Sequence, residues 1–245
     1  MEFEVLLRRL TDRRGWNAAG VARDVGGDVA APEALRRLAP ALGWHAADVF
    51  VLAGQDLPAD LAPTDPKADP GRIAWDYVAL PPARLILLAA ARAMPQQPLV
   101  GPLPPPLRPF PEDKASAIIG RLLHYRNFKG TSATQLLLYS GGPYLSTPTV
   151  NQIALGGKAL DPQLVSGFAH FLGIPVGDLA ALCDVDMTED VPAPAYSDGL
   201  AELMWEGRRL TFQQIRELVA LGHDLRHRFD AELDEGVRCH CGRTQ

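Results

Sequence analysis

An internal repeat restricts this chain to folds that contain one helical unit twice. Residues 32–54 (PEALRRLAPALGWHAADVFVLAG) and residues 162–184 (PQLVSGFAHFLGIPVGDLAALCD) align without gaps at an offset of 130 residues. In each copy a proline stands at the first position of a predicted helix, apolar residues follow at helical spacing, and a glycine stops the helix before a second, shorter one. The repeat, which also matches Asp48 with Asp178, predicts two related modules that each end in a helix–turn–helix pair.

The first module, residues 1–57, is predicted to begin with a helix over residues 3–14. Its inner face is expected to carry Val5, Leu6 and Leu10. A second helix is predicted over residues 18–24, and the repeat copy follows almost directly. This spacing leaves too little room for a recognition helix. We therefore expect a truncated copy that serves as a scaffold or as a contact surface for a protein partner.

The second module, residues 112–185, keeps more of the chain ahead of its repeat copy. Helices are predicted over residues 115–128 and, after a capping box at Ser132-Ala-Thr-Gln135, over residues 135–140. A third helix begins at Thr147-Pro148 and ends near Leu155. With the repeat copy this makes five helices. Since no strand pattern occurs elsewhere, we expect an all-α fold.

The remaining chain divides into two segments. Residues 58–111 hold a predicted pair of helices between Arg72 and Met94, divided by Pro81-Pro82, and then a Pro-rich stretch from Pro95 to Pro111 that is typical of a stiff linker. Residues 186–245 are acidic, with 12 acidic and 7 basic side chains, and begin with a short predicted helix over residues 199–206. We expect a helical C-terminal segment.

A second capping box, Thr211-Phe-Gln-Gln214, predicts the start of a long helix that ends near Glu235. Its apolar residues follow the alternating spacing of three and four that is typical of a packing seam. They are Ile215, Leu218, Gly222, Leu225 and Phe229. Such a seam fits a homodimer through residues 211–235, or packing on the chain's own core.

The stretch over residues 131–182 resembles the Cro/C1-type (XRE) helix-turn-helix family. The likeness rests on Ser132, Leu136-Leu137 and Gly141, then on Ser146, Val150, Ile153 and Gly156, and then on Leu172-Gly173-Ile174-Pro175 and Asp178-Leu179. The first module is similar through Leu6-Leu7, Gly15-Trp16, Leu38-Ala39, Leu42-Gly43 and Ala47-Asp48. The resemblance implies lambda-repressor-like modules around a Pro-rich linker, as in large two-module actinobacterial members. Two features depart from the family: a long turn at residues 142–145, and Leu137 where a small alanine is usual.

If the third helix of the second module reads DNA, its N-terminal residues should reach base edges in the major groove. Val150 and Ile153 would then face the core. Asn and Gln can pair bidentately with adenine, and Ser or Thr can reach bases or phosphates. The predicted base-reading residues are Ser146, Thr147, Thr149, Asn151 and Gln152. Lys129 and Lys158 flank this helix and are predicted to hold phosphates.

Two functions of different classes fit these features. One is a sequence-specific transcriptional regulator that binds double-stranded DNA through the helix-turn-helix at residues 131–156. The other is a protein-interaction adaptor whose helix-turn-helix folds no longer bind DNA. The charge balance weighs against extensive phosphate neutralisation, because the second module carries 5 basic and 5 acidic side chains and the formal net charge of the chain is −5.

Other chemistries find little support in the sequence. It has no Gly-rich phosphate loop and no H-E-x-x-H or G-x-S-x-G motif, so we expect no enzyme and no cofactor. Cys239-His240-Cys241 crowds three ligands together, whereas a structural zinc site needs four, and Cys183 is expected in the core. Neither a secretory signal nor a membrane span is recognisable, which predicts a cytoplasmic protein, nucleoid-associated if it binds DNA.

Overall fold

The computed structural model describes residues 2–17, 20–21, 28–74, 81–187, 194 and 197–241, with Pro81 and residues 230–241 as backbone only. Within these residues the regular secondary structure is entirely helical, which confirms the predicted all-α class. The α-helices are α1 Phe3–Arg14, α2 Pro32–Leu42, α3 Ala46–Leu52, α4 Pro81–Ala93, α5 Ala117–Tyr125, α6 Gly130–Tyr139, α7 Thr147–Ala154, α8 Pro162–Leu172, α9 Val176–Cys183, α10 Leu200–Gly207 and α11 Phe212–Cys241. No helix in the described part of the chain is long and apolar enough to cross a lipid bilayer.

The two repeat copies fold alike. α2 and α8 both begin at the proline of the repeat and both end before a glycine, Gly43 or Gly173, whose φ is 67° or 65°. Glycine adopts such a positive φ without the strain of a side chain, which is why the helix stops there. The residue after the glycine, Trp44 or Ile174, closes the turn by donating its amide to an alanine carbonyl one turn earlier, at 2.9 and 3.0 Å.

The second module forms its five helices, α5 to α9, in the predicted order. α7 packs against both α5 and α6, while α6 also packs against α8. α7 begins at Thr147 as predicted, and Asp161 caps α8 by accepting a hydrogen bond from the amide of Leu164 at 2.8 Å. The capping box predicted at Ser132 is wrong. α6 begins two residues earlier, at Gly130, and Ser132 is a fully buried residue of its first turn.

The first module agrees with its prediction at α1, which covers the expected residues. Leu6 and Leu10 are buried, but Val5 is 38% exposed, so the predicted inner face is wrong there and Leu7 takes that place. Of the helix predicted over residues 18–24, only Gly20 and Val21 are described, and both are helical. The question of room for a recognition helix falls largely on residues 22–27, which lie outside the described residues.

The middle of the chain is part of the same core. The second of the two predicted helices is present as α4, whereas the first falls largely on residues 75–80, outside the described part, and is preceded by a short 3-10 turn, Pro70–Ala74. The Pro-rich stretch contains no helix, as expected for a linker, but it is fixed to the body of the molecule. Val100 donates its amide to the Thr64 carbonyl at 2.8 Å, and Gln214 donates Nε2 to the Pro95 carbonyl at 2.9 Å.

The long C-terminal helix begins as predicted and packs on its own chain. The capping box is confirmed, because the Thr211 amide donates to Gln214 Oε1 at 3.0 Å and the Gln214 amide donates to Thr211 Oγ1 at 3.3 Å. α11 lies against α4 and the Pro70–Ala74 turn. The apolar seam is buried there at Ile215, Leu218, Gly222 and Leu225. The seam that suggested a homodimer through residues 211–235 is therefore covered by the chain's own core as far as residue 225.

Candidate nucleic-acid interface

α7 is fixed by its apolar side and open on its polar side. Val150 and Ile153 are buried, as predicted. Gly120 permits the close approach of α5, because a Cβ at that position would lie 2.5 Å from the carbonyl oxygen of Ala154 in α7. Asn151 and Gln152 are exposed on the other side. α7 thus presents amide side chains to solvent from a helix whose position is set by packing.

The start of α7 is less open than its middle. Ser146 is exposed, whereas Thr147 and Thr149 are half-buried. Ser146 Oγ lies 2.9 Å from Thr149 Oγ1, and Thr147 Oγ1 lies 3.4 Å from the Thr134 hydroxyl on α6. The two threonine hydroxyls therefore have neighbours in the protein. The predicted base-reading residues that remain exposed are Ser146, Asn151 and Gln152.

The two predicted phosphate ligands differ in their surroundings. Lys129, although exposed, donates Nζ to the Pro66 carbonyl and to Asn127 Oδ1, both at 3.3 Å. Its ammonium group is therefore already occupied by two acceptors of its own chain. Lys158 is half-buried beyond the C-terminal end of α7. The phosphate role predicted for Lys129 would require these two hydrogen bonds to be given up.

A buried carboxylate stands at the N-terminal end of α6. Asp69 is only 5% exposed, and its two oxygens lie 2.8 and 2.9 Å from Ser132 Oγ. It also accepts a hydrogen bond from the Gly71 amide at 3.1 Å. Burial raises the pKa of Asp69, against the opposing effect of its hydrogen bonds to Ser132, Gly71 and Lys129. A helix N-terminus attracts anions, so here the anion is supplied by the chain itself rather than by a phosphate.

The sequence contained a partial signal for this arrangement. Asp69-Pro70-Gly71 is a turn sequence, and Asp in such turns commonly accepts a hydrogen bond from the amide two residues later, as Asp69 does from Gly71. Nothing in the sequence, however, connects that turn with Ser132. Ser132 is not the cap that the capping-box pattern predicted because it lies inside the first turn of α6, from which it donates its hydroxyl to Asp69.

A second group of charged residues, which the sequence did not reveal as a site, joins the two modules. Asp48 in α3 and Arg126 after α5 form a doubly hydrogen-bonded ion pair with distances of 2.9 and 2.6 Å, and both side chains are at most 3% exposed. Asp178 in α9 pairs with Arg14 at the end of α1, where Arg14 Nε lies 3.1 Å from Oδ1. We call these two contacts the inter-module pairs.

Two stacked rings, those of His45 and Trp205, lie beside the first of these pairs. Trp205 of α10 stacks on His45 with the ring centroids 3.4 Å apart and an interplanar angle of 4°. The guanidinium groups of Arg126 and Arg208 lie 5.2 and 4.3 Å from the Trp205 ring centre. Burial, together with the positive charge of Arg126, lowers the pKa of His45 to about 4, against the opposing charge of Asp48.

The depressed pKa of His45 predicts a loss of stability in acid. Between pH 6.5 and about pH 4, His45 is protonated in the unfolded chain and neutral in the folded protein. The free energy of unfolding therefore falls as the pH falls through this window. Because the ring is partly exposed, we expect about 1–2 kcal/mol from this group rather than the full value of the shift. His45→Phe keeps a ring against Trp205 without a titrating group. The difference in melting temperature between the native chain and this variant should change between pH 7 and pH 4, and a constant difference would contradict the assignment.

The cysteines show no metal centre within the described side chains. Cys183 is 5% exposed in the core, as predicted, and burial raises the pKa of its thiol to about 12. Among the described residues no group of three His, Cys, Asp or Glu side chains is placed to hold a metal ion. The side chains of Cys239-His240-Cys241 lie outside the described residues.

No family model matches this chain, and neither the curated proteins nor the solved structures provide a match.

Proposed function

We propose that this chain is a DNA-binding transcriptional regulator that reads the major groove with the exposed side of α7. The observation that carries the proposal is the pairing of a buried anchor with an exposed amide face, Val150 and Ile153 on one side and Asn151 and Gln152 on the other. A helix held in this way can present its side chains to base edges without first being ordered. Amide side chains have the donor and acceptor pattern that matches adenine in the major groove.

Phosphate contacts contribute little in this proposal. Asp69 occupies the start of α6, Lys129 is engaged by its own chain, and the second module has balanced charge. A protein that neutralises only one or two phosphates should lose about one to two logarithmic units of affinity per tenfold increase in salt. A much steeper fall of affinity with salt would show that more phosphates are contacted than this arrangement allows.

The test begins with selection of bound fragments from genomic DNA by the full-length protein, followed by anisotropy titrations on an enriched sequence. Asn151→Ala and Gln152→Ala should each weaken binding about tenfold or more, and should relax the sequence preference at one position of the site. Gln55→Ala removes an exposed amide from the loop after α3 and is the matched control, with no expected effect. Unchanged affinity in both α7 variants would reject this base-reading face.

A protein-interaction adaptor is the second candidate, and the Asp69–Ser132 contact favours it. A helix N-terminus that is closed by a buried carboxylate suits a module that no longer holds a DNA backbone. The same selection separates the two functions. If the full-length protein enriches no genomic fragment even at low salt, where non-specific binding is strongest, the regulator is rejected in favour of the adaptor.

A further inference from the structure

The first helices of the two modules end in the same way. α1 is followed by Gly15 with φ 65°, and the turn after α5 contains Asn127 with φ 63°. The next residue closes each turn, since Trp16 donates its amide to Thr11 at 2.8 Å and Phe128 donates its amide to Leu123 at 2.9 Å. Arg14 and Arg126, which immediately precede the residues of positive φ, therefore occupy equivalent places in the two modules.

The acidic partners of these arginines are equivalent as well. Asp48 and Asp178 occupy matching positions of the internal repeat, in α3 and α9. The pairing crosses between the modules: Arg126 binds Asp48, and Arg14 binds Asp178. Each module thus contributes one arginine from the end of its first helix and one aspartate from its last helix.

The helices follow the same crossed pattern. α1 of the first module packs against α9 of the second, and α5 of the second module packs against α3 of the first. The first helix of each module thus contacts the last helix of the other module. Such a reciprocal contact between two like surfaces has the form of a two-fold, isologous interface. Here both surfaces belong to one polypeptide.

The two halves of this interface have diverged in detail. Asp48 and Arg126 are almost fully enclosed, whereas the side chain of Arg14 is 19% exposed. Asp178 also accepts a hydrogen bond from Trp44 Nε1 at 3.1 Å, and Arg14 lies over the ring of Trp16 at 4.8 Å. The crossed arginine–aspartate contacts are common to both halves, and the groups around them are not.

We infer that the surface between the modules is a dimerisation interface closed within a single chain. The partner that each module fits is another module of its own kind, and that partner is supplied in cis. The inference gives the first module a definite role, namely to fill the surface of the second module that a separate copy would otherwise cover. It also explains why the repeat is clearest in residues 32–54 and 162–184, since α3 and α9 carry the aspartates.

The energetic test uses a double-mutant cycle on the full-length chain. Arg126→Met and Asp48→Leu each leave one buried charge unpaired, and each should lower the melting temperature by about 10 °C. The double variant D48L/R126M leaves neither member of the pair behind, and for the buried Arg208 nearby it removes the attraction of Asp48 together with the repulsion of Arg126, so it should recover most of that loss. Arg36→Met is the control, because Arg36 and Asp60 form an ion pair that is 41% and 62% exposed, and it should shift melting by about 3 °C or less. Single variants no less stable than this control would overturn the inference.

The position of the partner is tested separately, beginning with the native chain. Sedimentation of the native full-length chain should give the mass of one chain throughout the micromolar range. A native dimer that the D48L/R126M substitutions convert to a monomer would place the interface between chains and overturn the cis arrangement. Neither measurement involves nucleic acid, so failure of the proposed DNA binding would leave both results unaffected.

Discussion

Replacing Leu137 with alanine is expected to destabilise the protein by about 3 kcal/mol. The Leu137 side chain is fully buried in α6, and α6 packs against both α7 and α8. Its bulk fits because two glycines stand opposite. A Cβ built at Gly142 would lie 2.5 Å from Leu137 Cδ1, and one built at Gly167 in α8 would lie 2.7 Å from the same atom. Truncation therefore leaves a cavity at the junction of α6, the following turn and α8.

The opposite change, Gly142→Ala, is expected to cost about 2 kcal/mol by overpacking. The added methyl group would meet Leu137 Cδ1 and Cγ at 2.5 and 2.7 Å, while its nearest backbone contact, the Leu137 carbonyl oxygen, is at 3.0 Å. Most of the conflict is with one side chain. The double variant L137A/G142A should thus be clearly more stable than the sum of the two losses predicts.

Urea denaturation of the two single variants and of the double variant measures this coupling. Two independent, additive losses would contradict the contact between Leu137 and Gly142. Gly157→Ala is a suitable control from the same module. A Cβ at Gly157 would meet its nearest neighbour, the Gln152 carbonyl oxygen, at 3.5 Å, an ordinary contact, and the residue does not have a positive φ.

Leu137 illustrates what a sequence pattern can and cannot predict about packing. The resemblance to the XRE family implied a small alanine at this position. Space for the leucine is instead provided by Gly142, in the turn after α6, and by Gly167, in α8. The prediction considered one position, whereas packing is decided by all the residues that meet in space.

Helix ends that depend on local signals were predicted well. The Thr211–Gln214 capping box and the stops at Gly43 and Gly173 all involve hydrogen bonds or dihedral angles within a few residues of one another. The cap predicted at Ser132 is wrong because α6 begins two residues earlier, so that Ser132 lies inside its first turn and donates its hydroxyl to the distant residue Asp69. Local sequence patterns predict helix ends where no contact with a distant residue determines the structure instead.

Partner choice could not be predicted in the same way. The repeat identified Asp48 and Asp178 as matching residues, but no feature of a single sequence indicates which of many arginines each would bind. The seam of α11 was equally ambiguous, since the spacing of Ile215 and Leu218 describes a face to be buried and not what buries it. The exposed face of α7 was predicted at Asn151 and Gln152, whereas the environment of Lys129 depends on Pro66, far away in the sequence.

Replacing Gly120 with alanine is expected to destabilise the protein by about 3 kcal/mol, although alanine is the better helix former by about 1 kcal/mol. A Cβ at residue 120 in α5 would lie 2.5 Å from the carbonyl oxygen of Ala154 and 2.8 Å from Cε1 of Phe110. The carbonyl belongs to the last turn of α7, so relief requires α7 itself to move away from α5. Helix propensity and packing therefore predict changes of opposite sign in the free energy of unfolding, and we expect the effect of packing to be the larger.

The same substitution links the core to the proposed interface. Because α7 carries Asn151 and Gln152, its displacement by Gly120→Ala should weaken sequence-specific DNA binding about tenfold even where the variant remains folded, as a small misplacement of bidentate groups removes their hydrogen bonds. Gly157→Ala, just beyond α7, should leave both urea unfolding and DNA binding unchanged. A Gly120→Ala protein that is as stable as the native chain would show that α5 and α7 do not approach at Ala154. A destabilised variant with native DNA affinity would separate the packing of α7 from the recognition proposed for its exposed face.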